Sequence, residues 1–244
     1  MGVRSLGNVL ASYGYKFGTT GLEAAGPNLP FSATGGTETS YTGYKVHTFL
    51  SPGTFTVTNG PVTCDILIVG GGGGGGGAHG GGGGAGGFRA LPEIVVSDGS
   101  IDVTVGDGGN AGSSESRGSK GADSVFDGGT GGPYTAAGGG GGGSYNGVTA
   151  TTGGSGGGGG GSPSVPNSAG ASGNTPPTSP PQGNSGGNGA PGDSAGHGGG
   201  GGGAGAGGSN AYAPSSSGGG GNGGNGLQNN YRTGSNVYYA GGGG

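Results

Sequence analysis

Runs of consecutive glycine constrain this chain more than any other feature. Glycine supplies 81 of the 244 residues, and blocks of six or more occupy 70–77, 138–143, 156–161 and 198–203. A glycine held in a regular conformation costs about 0.5–1 kcal/mol more than an alanine. Because glycines have no side chains to bury, an ordered structure must use the backbone itself as its packing surface.

The glycine blocks leave several structural alternatives. Collagen is excluded, because no strict Gly-X-Y period runs through the chain. Flexible linkers or a disordered chain are what composition alone favours. Several similar blocks instead favour a bundle of polyglycine II helices, with three residues per turn and backbone groups that bond neighbouring rods. We expect this bundle over residues 108–244, with variable loops between the rods, the longest at 162–182.

Conventional strand patterns are concentrated in residues 43–107. Apolar alternation predicts five short strands at 44–49, 54–58, 62–69, 93–97 and 101–105. The third ends in a continuous apolar run, which is typical of a strand buried on both faces. Asp98-Gly99 predicts a hairpin turn. The fold class expected is therefore all-β: a small antiparallel sandwich with a glycine-rich insertion at 70–87, joined to the polyglycine II bundle, with little or no α-helix.

The first 42 residues have a mixed composition that Pro27 and Pro30 interrupt. The segment is too short and too polar to bury a core alone, so we expect a docking arm over residues 1–42. Its beginning lacks the apolar stretch of a signal peptide. No apolar run approaches the roughly 18 residues of a membrane span, so no membrane insertion is expected.

Several functional classes lack their sequence signals. The seven Lys and Arg residues are scattered through a chain of net charge −4, which predicts no nucleic-acid partner. Gly-x-Gly-x-x-Gly recurs through composition alone, without the strand–helix context of a nucleotide site. His47, His79 and His197 show no metal-ligand spacing. His47 is expected on a strand face, and the other two in turns.

Acidic and thiol side chains add no catalytic signal. The carboxylates closest to the predicted strands do not specify a hydrolase, and Asp107 before Gly108-Gly109 is typical of a turn. Cys64 is expected to be a small core residue. We therefore expect no catalytic residue, no cofactor and no metal, and we predict that the protein is not an enzyme.

Tyrosine is the residue type most suggestive of binding. Its ring offers an apolar face and a polar tip, which suits contact with carbohydrate or protein surfaces. The alternative is that these tyrosines cap the ends of the rod bundle and shield it from water. Six tyrosines in or beside the inter-rod loops are the candidate receptor contacts: Tyr134, Tyr145, Tyr212, Tyr231, Tyr238 and Tyr239.

A family resemblance rests on four consecutive features. These are Tyr44–Phe49, Gly53–Val57, the strand Cys64–Val69 running into poly-glycine, and Gly80–Phe88. Residues 43–145 resemble the glycine-rich domain of phage tail-fibre-like proteins, common in marine and cyanobacterial phages. The later alternation of rods and loops is similar to the tip adhesins of long-tailed phages, in which polyglycine II helices display variable loops.

The resemblance implies a structural protein of a virion, located in a tail fibre or another external appendage. It implies attachment to other virion proteins, for which residues 1–42 are the expected segment, and loops that contact a host-surface glycan or protein. Association with further copies of the chain, as a homo-oligomer, is also left open. Two alternatives remain: a purely structural virion protein without a receptor, and an ice-binding polyglycine II protein, which the irregular Pro-rich loops fit poorly.

Overall fold

The computed structural model describes residues 2–6, 31–145, 147–163, 168–191, 196–212 and 219–244. Within these ranges the chain is all-β and contains no helix, as predicted. Consequently, no described segment is a helix of the length and hydrophobicity needed to cross a membrane. The strands are β1 (Gly2–Leu6), β2 (Ser32–Thr34), β3 (Thr37–Tyr41), β4 (Tyr44–Thr48), β5 (Gly53–Thr58), β6 (Val62–Val69), β7 (Phe88–Val96), β8 (Gly99–Thr104), β9 (Ser124–Phe126), β10 (Tyr134–Ala136), β11 (Leu227–Asn229) and β12 (Val237–Tyr239).

Two five-stranded antiparallel sheets form the predicted sandwich. The first has the order β3-β4-β1-β6-β7, and the second has the order β10-β9-β8-β5-β2. The five predicted strands correspond to β4 through β8. Strand β7 begins five residues earlier than predicted and is bulged opposite Cys64 and Ile66. At the bulge Glu93 adopts a φ of 55°, and its N–H donates to Asp65 Oδ1 at 3.0 Å.

Strand β6 is buried on both faces, as its apolar run predicted. Alternate residues Cys64, Ile66 and Ile68 enter the core between the two sheets, where they meet Phe55 and Phe126 of the second sheet. On its other face, Leu67 packs in a smaller cluster with Phe88 and Ala204. Cys64 is a buried core residue, also as predicted, and burial raises the pKa of its thiol to about 12.

The sandwich recruits strands from both sides of residues 43–107. Strands β1, β2 and β3 come from the first 42 residues, and β9 and β10 come from beyond residue 107. Strand β1 lies between β4 and β6, antiparallel to both. The docking role of residues 1–42 stays a prediction, and residues 7–30 lie outside the described part of the chain.

The glycine blocks form extended segments joined by backbone hydrogen bonds that recur every third residue. In the first rod (70–77), the N–H groups of Gly70, Gly73 and Gly76 donate to the second rod (80–87). The residues that follow each of these, Gly71, Gly74 and Gly77, donate to residues 116–122 instead. A polyglycine II helix requires this three-residue period. The period supports the polyglycine II interpretation, which stays a prediction.

Close packing between these segments explains why the blocks contain glycine. A Cβ added at Gly73 would lie within 3.0 Å of the backbone of Gly140, and one added at Gly83 would meet Gly73 in the same way. Real Cβ atoms essentially never approach backbone atoms so closely. The bundle is therefore packed backbone against backbone, and most of its interior leaves no room for a methyl group.

Candidate recognition surface at the distal end of the bundle

The hydrogen-bond register gives the direction of every described segment of the bundle. The first rod leaves the sandwich at Val69, reverses at Ala78-His79, and returns as the second rod to Phe88. The second rod pairs antiparallel with the outgoing residues 155–161 and parallel with the returning residues 197–203. The bundle thus has a proximal end at the sandwich and a distal end remote from it.

Chain reversals away from the sandwich gather at one surface, which we call the distal surface. Hydrogen bonds tie neighbouring reversals together there: the N–H of Tyr145 donates to the carbonyl of Ala78 at 3.1 Å, and that of Gly161 donates to the carbonyl of His79 at 3.0 Å. The described residues of this surface are 78–79, 113–116, 144–145, 147–148, 162–163, 168, 190–191, 196–197, 212 and 219.

Two of the six candidate tyrosines, Tyr145 and Tyr212, lie on the distal surface. Tyr145 is half-buried, and its ring centroid is 5.4 Å from that of His79. Tyr212 is 69% exposed and forms an isolated bridge with Gly219. These two side chains are therefore presented at the end of the bundle that is farthest from the sandwich.

The other four tyrosines lie at the proximal end. Tyr134 begins β10, packs against the sandwich core, and has Arg89 5.8 Å above its ring. Tyr231 and Tyr239 pack against the cluster that contains Leu67. Tyr238 is 68% exposed on β12. The structure therefore separates the six predicted contacts into two groups at opposite ends of the bundle.

Two histidines of the distal surface were not among the binding residues proposed from the sequence, which were all tyrosines. His79 and His197 both lie on the distal surface, but His197 pairs with Ala190 in an isolated bridge and not in the turn that was predicted for it. His79 has a φ of 49°, which confirms its turn conformation. The sequence signal was present, because Ala78-His79 interrupts the glycine run where the rod must reverse. The proximity of His79 to Tyr145 depends on how neighbouring rods are aligned, and a run of glycines does not indicate that alignment.

The predicted single loop at 162–182 is wrong. Residues 168–174 form another rod, in which the N–H groups of Ala171 and Asn174 donate to the carbonyls of Gly157 and Gly154. Its proline-rich continuation lies at the proximal end instead of the distal one. There the buried Gln182 accepts from the Ala137 N–H through Oε1 and donates to the Pro176 carbonyl through Nε2, both at 2.8 Å.

The chemistry of the distal surface is polar and aromatic with few charges. Arg117 Nη1 reaches the carbonyl of Thr149 at 3.4 Å, and Glu115 is the acidic residue of the same reversal. Within the described ranges, His, Cys, Asp and Glu side chains form no group that could hold a metal ion. Aromatic rings and hydroxyls of this kind can stack against and hydrogen-bond a neutral surface.

Neither a curated protein nor a solved structure matches the chain. Residues 47–244 match the family described as a glycine-rich domain, which confirms that part of the resemblance seen in the sequence. The match begins within β4 and includes the sandwich strands β5 to β10 together with the glycine bundle, whereas β1, β2 and β3 precede it. Because it covers well over half of the residues, this chain belongs to the glycine-rich domain family.

Proposed function

We propose that this chain is a structural component of a virion fibre or similar external appendage, and that its distal surface contacts the host cell. The protein has no catalytic role in this proposal. Residues 1–42 provide attachment to other virion proteins, and the sandwich and bundle form a support that holds the distal reversals away from the attachment point. Its connection to phage rests on the resemblance of residues 43–145.

The observation that carries the proposal is the two-ended construction of the bundle. Rods of nearly uniform backbone run between a sandwich at one end and a set of irregular reversals at the other. Loops held on a rigid scaffold tolerate sequence change and commonly carry binding residues. A bundle whose interior is packed mainly from glycine backbone can therefore vary its distal reversals without changing that packing.

The exposed distal aromatic residues support recognition of a surface. Tyr212 is 69% exposed, and no other aromatic ring is described in contact with it. Tyrosine supplies a large contact area at a low cost in conformational entropy, since few of its bonds rotate. The low charge of this surface favours a glycan or a polar protein surface over a strongly charged ligand.

Two exposed tyrosines provide a matched test. Labelled full-length protein would be incubated with a panel of bacterial cells, and binding would be compared for the wild type, Tyr212→Ala and Tyr238→Ala. The two tyrosines are 69% and 68% exposed but lie at opposite ends of the bundle. We expect Tyr212→Ala to weaken binding about tenfold, because hot-spot tyrosines cost more than about 1 kcal/mol on truncation, and we expect Tyr238→Ala to bind as the wild type.

The same assay separates the alternatives. Periodate treatment of the cells abolishes binding to a glycan, whereas protease treatment abolishes binding to a protein. Equal loss in both variants would contradict a distal recognition surface. Absence of binding across the panel, with particles labelled densely by an antibody to this chain, would favour a purely structural virion protein.

A further inference from the structure

Rods in the interior of the bundle bond to neighbours on nearly every side. The second rod donates to residues 137–143 and to residues 199–202, and it accepts from the first rod, from residues 155–161 and from Gly243. Two of every three residues of this rod both donate and accept, whereas in the third set, Gly80, Gly83 and Gly86, only the Gly83 carbonyl is bonded to a described group, the N–H of Gly243. Five segments of this chain thus surround the second rod.

The first rod lacks such neighbours on one side. The N–H groups of Gly72 and Gly75 donate to no described group, and the carbonyls of Gly73 and Gly76 accept from none. Gly72 is exposed, and the other three are half-buried. These unused donors and acceptors repeat every third residue along the rod. We call this surface the open side of the first rod.

The open side has room for side chains that the sequence does not use. A Cβ added at Gly72 or Gly75 would lie 3.9 Å or 3.8 Å from its nearest neighbour, which is ordinary van der Waals contact. Neither residue has a positive φ. At Gly71, Gly73 and Gly74, by contrast, an added Cβ would come within 3.0 Å of backbone atoms. Packing within one copy therefore explains glycine at the latter positions but not at Gly72 and Gly75.

We propose that the open side of the first rod binds a glycine rod from a second copy of this chain. Backbone donors at three-residue spacing match a partner with the same period, and most glycines at the rod contacts within the bundle leave no space for a Cβ. This chain presents such segments on its own surface, because Gly241, Gly243 and Gly244 are exposed and have no neighbour closer than 3.3 Å to an added Cβ. This inference concerns assembly and does not depend on the proposed function.

Sedimentation of the full-length chain over a range of concentrations tests the proposal. We expect reversible association of the wild type, and we expect Gly75→Leu to raise the dissociation constant at least tenfold, since the added side chain fits one copy but blocks the approach of another backbone. Ser119→Leu is the matched control. It adds the same side chain at an exposed position of residues 116–122, and it is expected to associate as the wild type.

Hydrogen exchange provides a measurement that needs no substitution. The amides of Gly72 and Gly75 should exchange quickly in dilute protein and more slowly as the protein associates, whereas those of Gly71 and Gly74 should be protected at all concentrations. If Gly75→Leu melts at a lower temperature than the wild type, the smaller Gly72→Ser replaces it. A monomeric wild type at every concentration, or unchanged association of both variants, would overturn the proposal.

Discussion

The sandwich and the bundle are ordered by different physical interactions within one chain. In the sandwich, large side chains such as Phe55, Phe126 and Ile66 are fully buried between two sheets. Burial of such a side chain contributes about 1.5–3 kcal/mol. In the bundle, the buried residues are mainly glycines, and order comes from hydrogen bonds between backbones in close contact.

This difference predicts opposite sensitivities in the two regions. A side-chain core is destabilised most when atoms are removed from it, since removal leaves a cavity. A backbone lattice is destabilised most when atoms are added, since an added methyl group has no space to occupy. The two regions are consecutive in the chain, since β6 ends at Val69 and the first rod begins at Gly70. Substitutions in either region can therefore be compared within one protein.

The largest effect is expected from a single methyl group in the bundle. Gly73→Ala places a Cβ within 3.0 Å of the Gly140 carbonyl, and the atoms that this Cβ meets belong to the backbone, so they cannot rotate away. We expect a loss of about 3 kcal/mol in the free energy of unfolding, the upper end for overpacking in a rigid interior. Urea denaturation of dilute protein, followed by intrinsic tyrosine fluorescence, measures the change.

Gly75→Ala, in the same rod, is the control for this prediction. Its added Cβ would lie 3.8 Å from the nearest atom. Because alanine restricts the unfolded chain more than glycine does, this variant should be as stable as the wild type or more stable by about 0.4–1 kcal/mol. Equal losses in the two variants would mean that sterics between rods do not determine where glycine is required.

An intermediate effect is expected where the two regions are joined. Gln182→Leu replaces the buried amide by an apolar side chain of similar size, which leaves the Ala137 N–H without its acceptor and the Pro176 carbonyl without its donor. An unsatisfied buried polar group costs about 1–3 kcal/mol, so we expect a loss of about 2 kcal/mol. Gln228→Leu, on the exposed face of β11, should stay within about 0.5 kcal/mol of the wild type. A loss in Gln228→Leu as large as that in Gln182→Leu would contradict a specific role for the junction.

The sandwich was predictable where side chains carry a pattern. Strands β4 through β8 have apolar alternation, and the continuous run in β6 indicated burial on both faces. Strands β2, β9 and β10 have only three residues each, and they are set by pairing with longer neighbours rather than by a pattern of their own. Strand β1 pairs with residues about 40 to 65 positions away, which no local signal shows.

The bundle was predictable in kind but not in arrangement. Glycine composition indicated mutual backbone bonding, and the observed three-residue period agrees with that expectation. Which rod bonds to which is determined by hydrogen-bond register, and a run of identical residues has no feature that distinguishes one register from the next. For this reason the tyrosines could be identified as candidates, but their separation into distal and proximal groups could not.

The smallest effect is expected from a polar residue in the sandwich core. His47 lies on a face of β4, as predicted, and is fully buried. Its Nδ1 lies 2.9 Å from the Gly35 carbonyl oxygen, and its ring centroid lies 5.2 Å from that of Phe55. The carbonyl can only accept, so Nδ1 carries the proton and Nε2 has no partner within the described residues. Burial lowers the pKa of His47, an effect that the backbone hydrogen bond and nearby Glu38 oppose and Lys45 reinforces.

Acidification should therefore destabilise the sandwich in a defined pH range. Because the pKa of His47 is lower in the folded state than its unfolded value of about 6.5, the unfolded chain binds more protons below that pH. Stability should be constant above about pH 7.5 and fall by at most about 1.4 kcal/mol per pH unit as the pH drops through 6.5 toward the folded pKa. Glu38 titrates in a separate, lower range, because the hydrogen bond from Lys45 lowers the pKa of its carboxyl group.

Unfolding free energies measured by urea denaturation between pH 5 and 8 would show this dependence. His47→Gln can still donate to the Gly35 carbonyl but does not titrate, so its stability should be nearly flat across this range. His79→Gln removes an exposed histidine from a distal turn and should keep the wild-type dependence. If the His47 variant retained the wild-type slope, another group would have to be the source, and the buried histidine would be excluded as the acid-sensitive element of the sandwich.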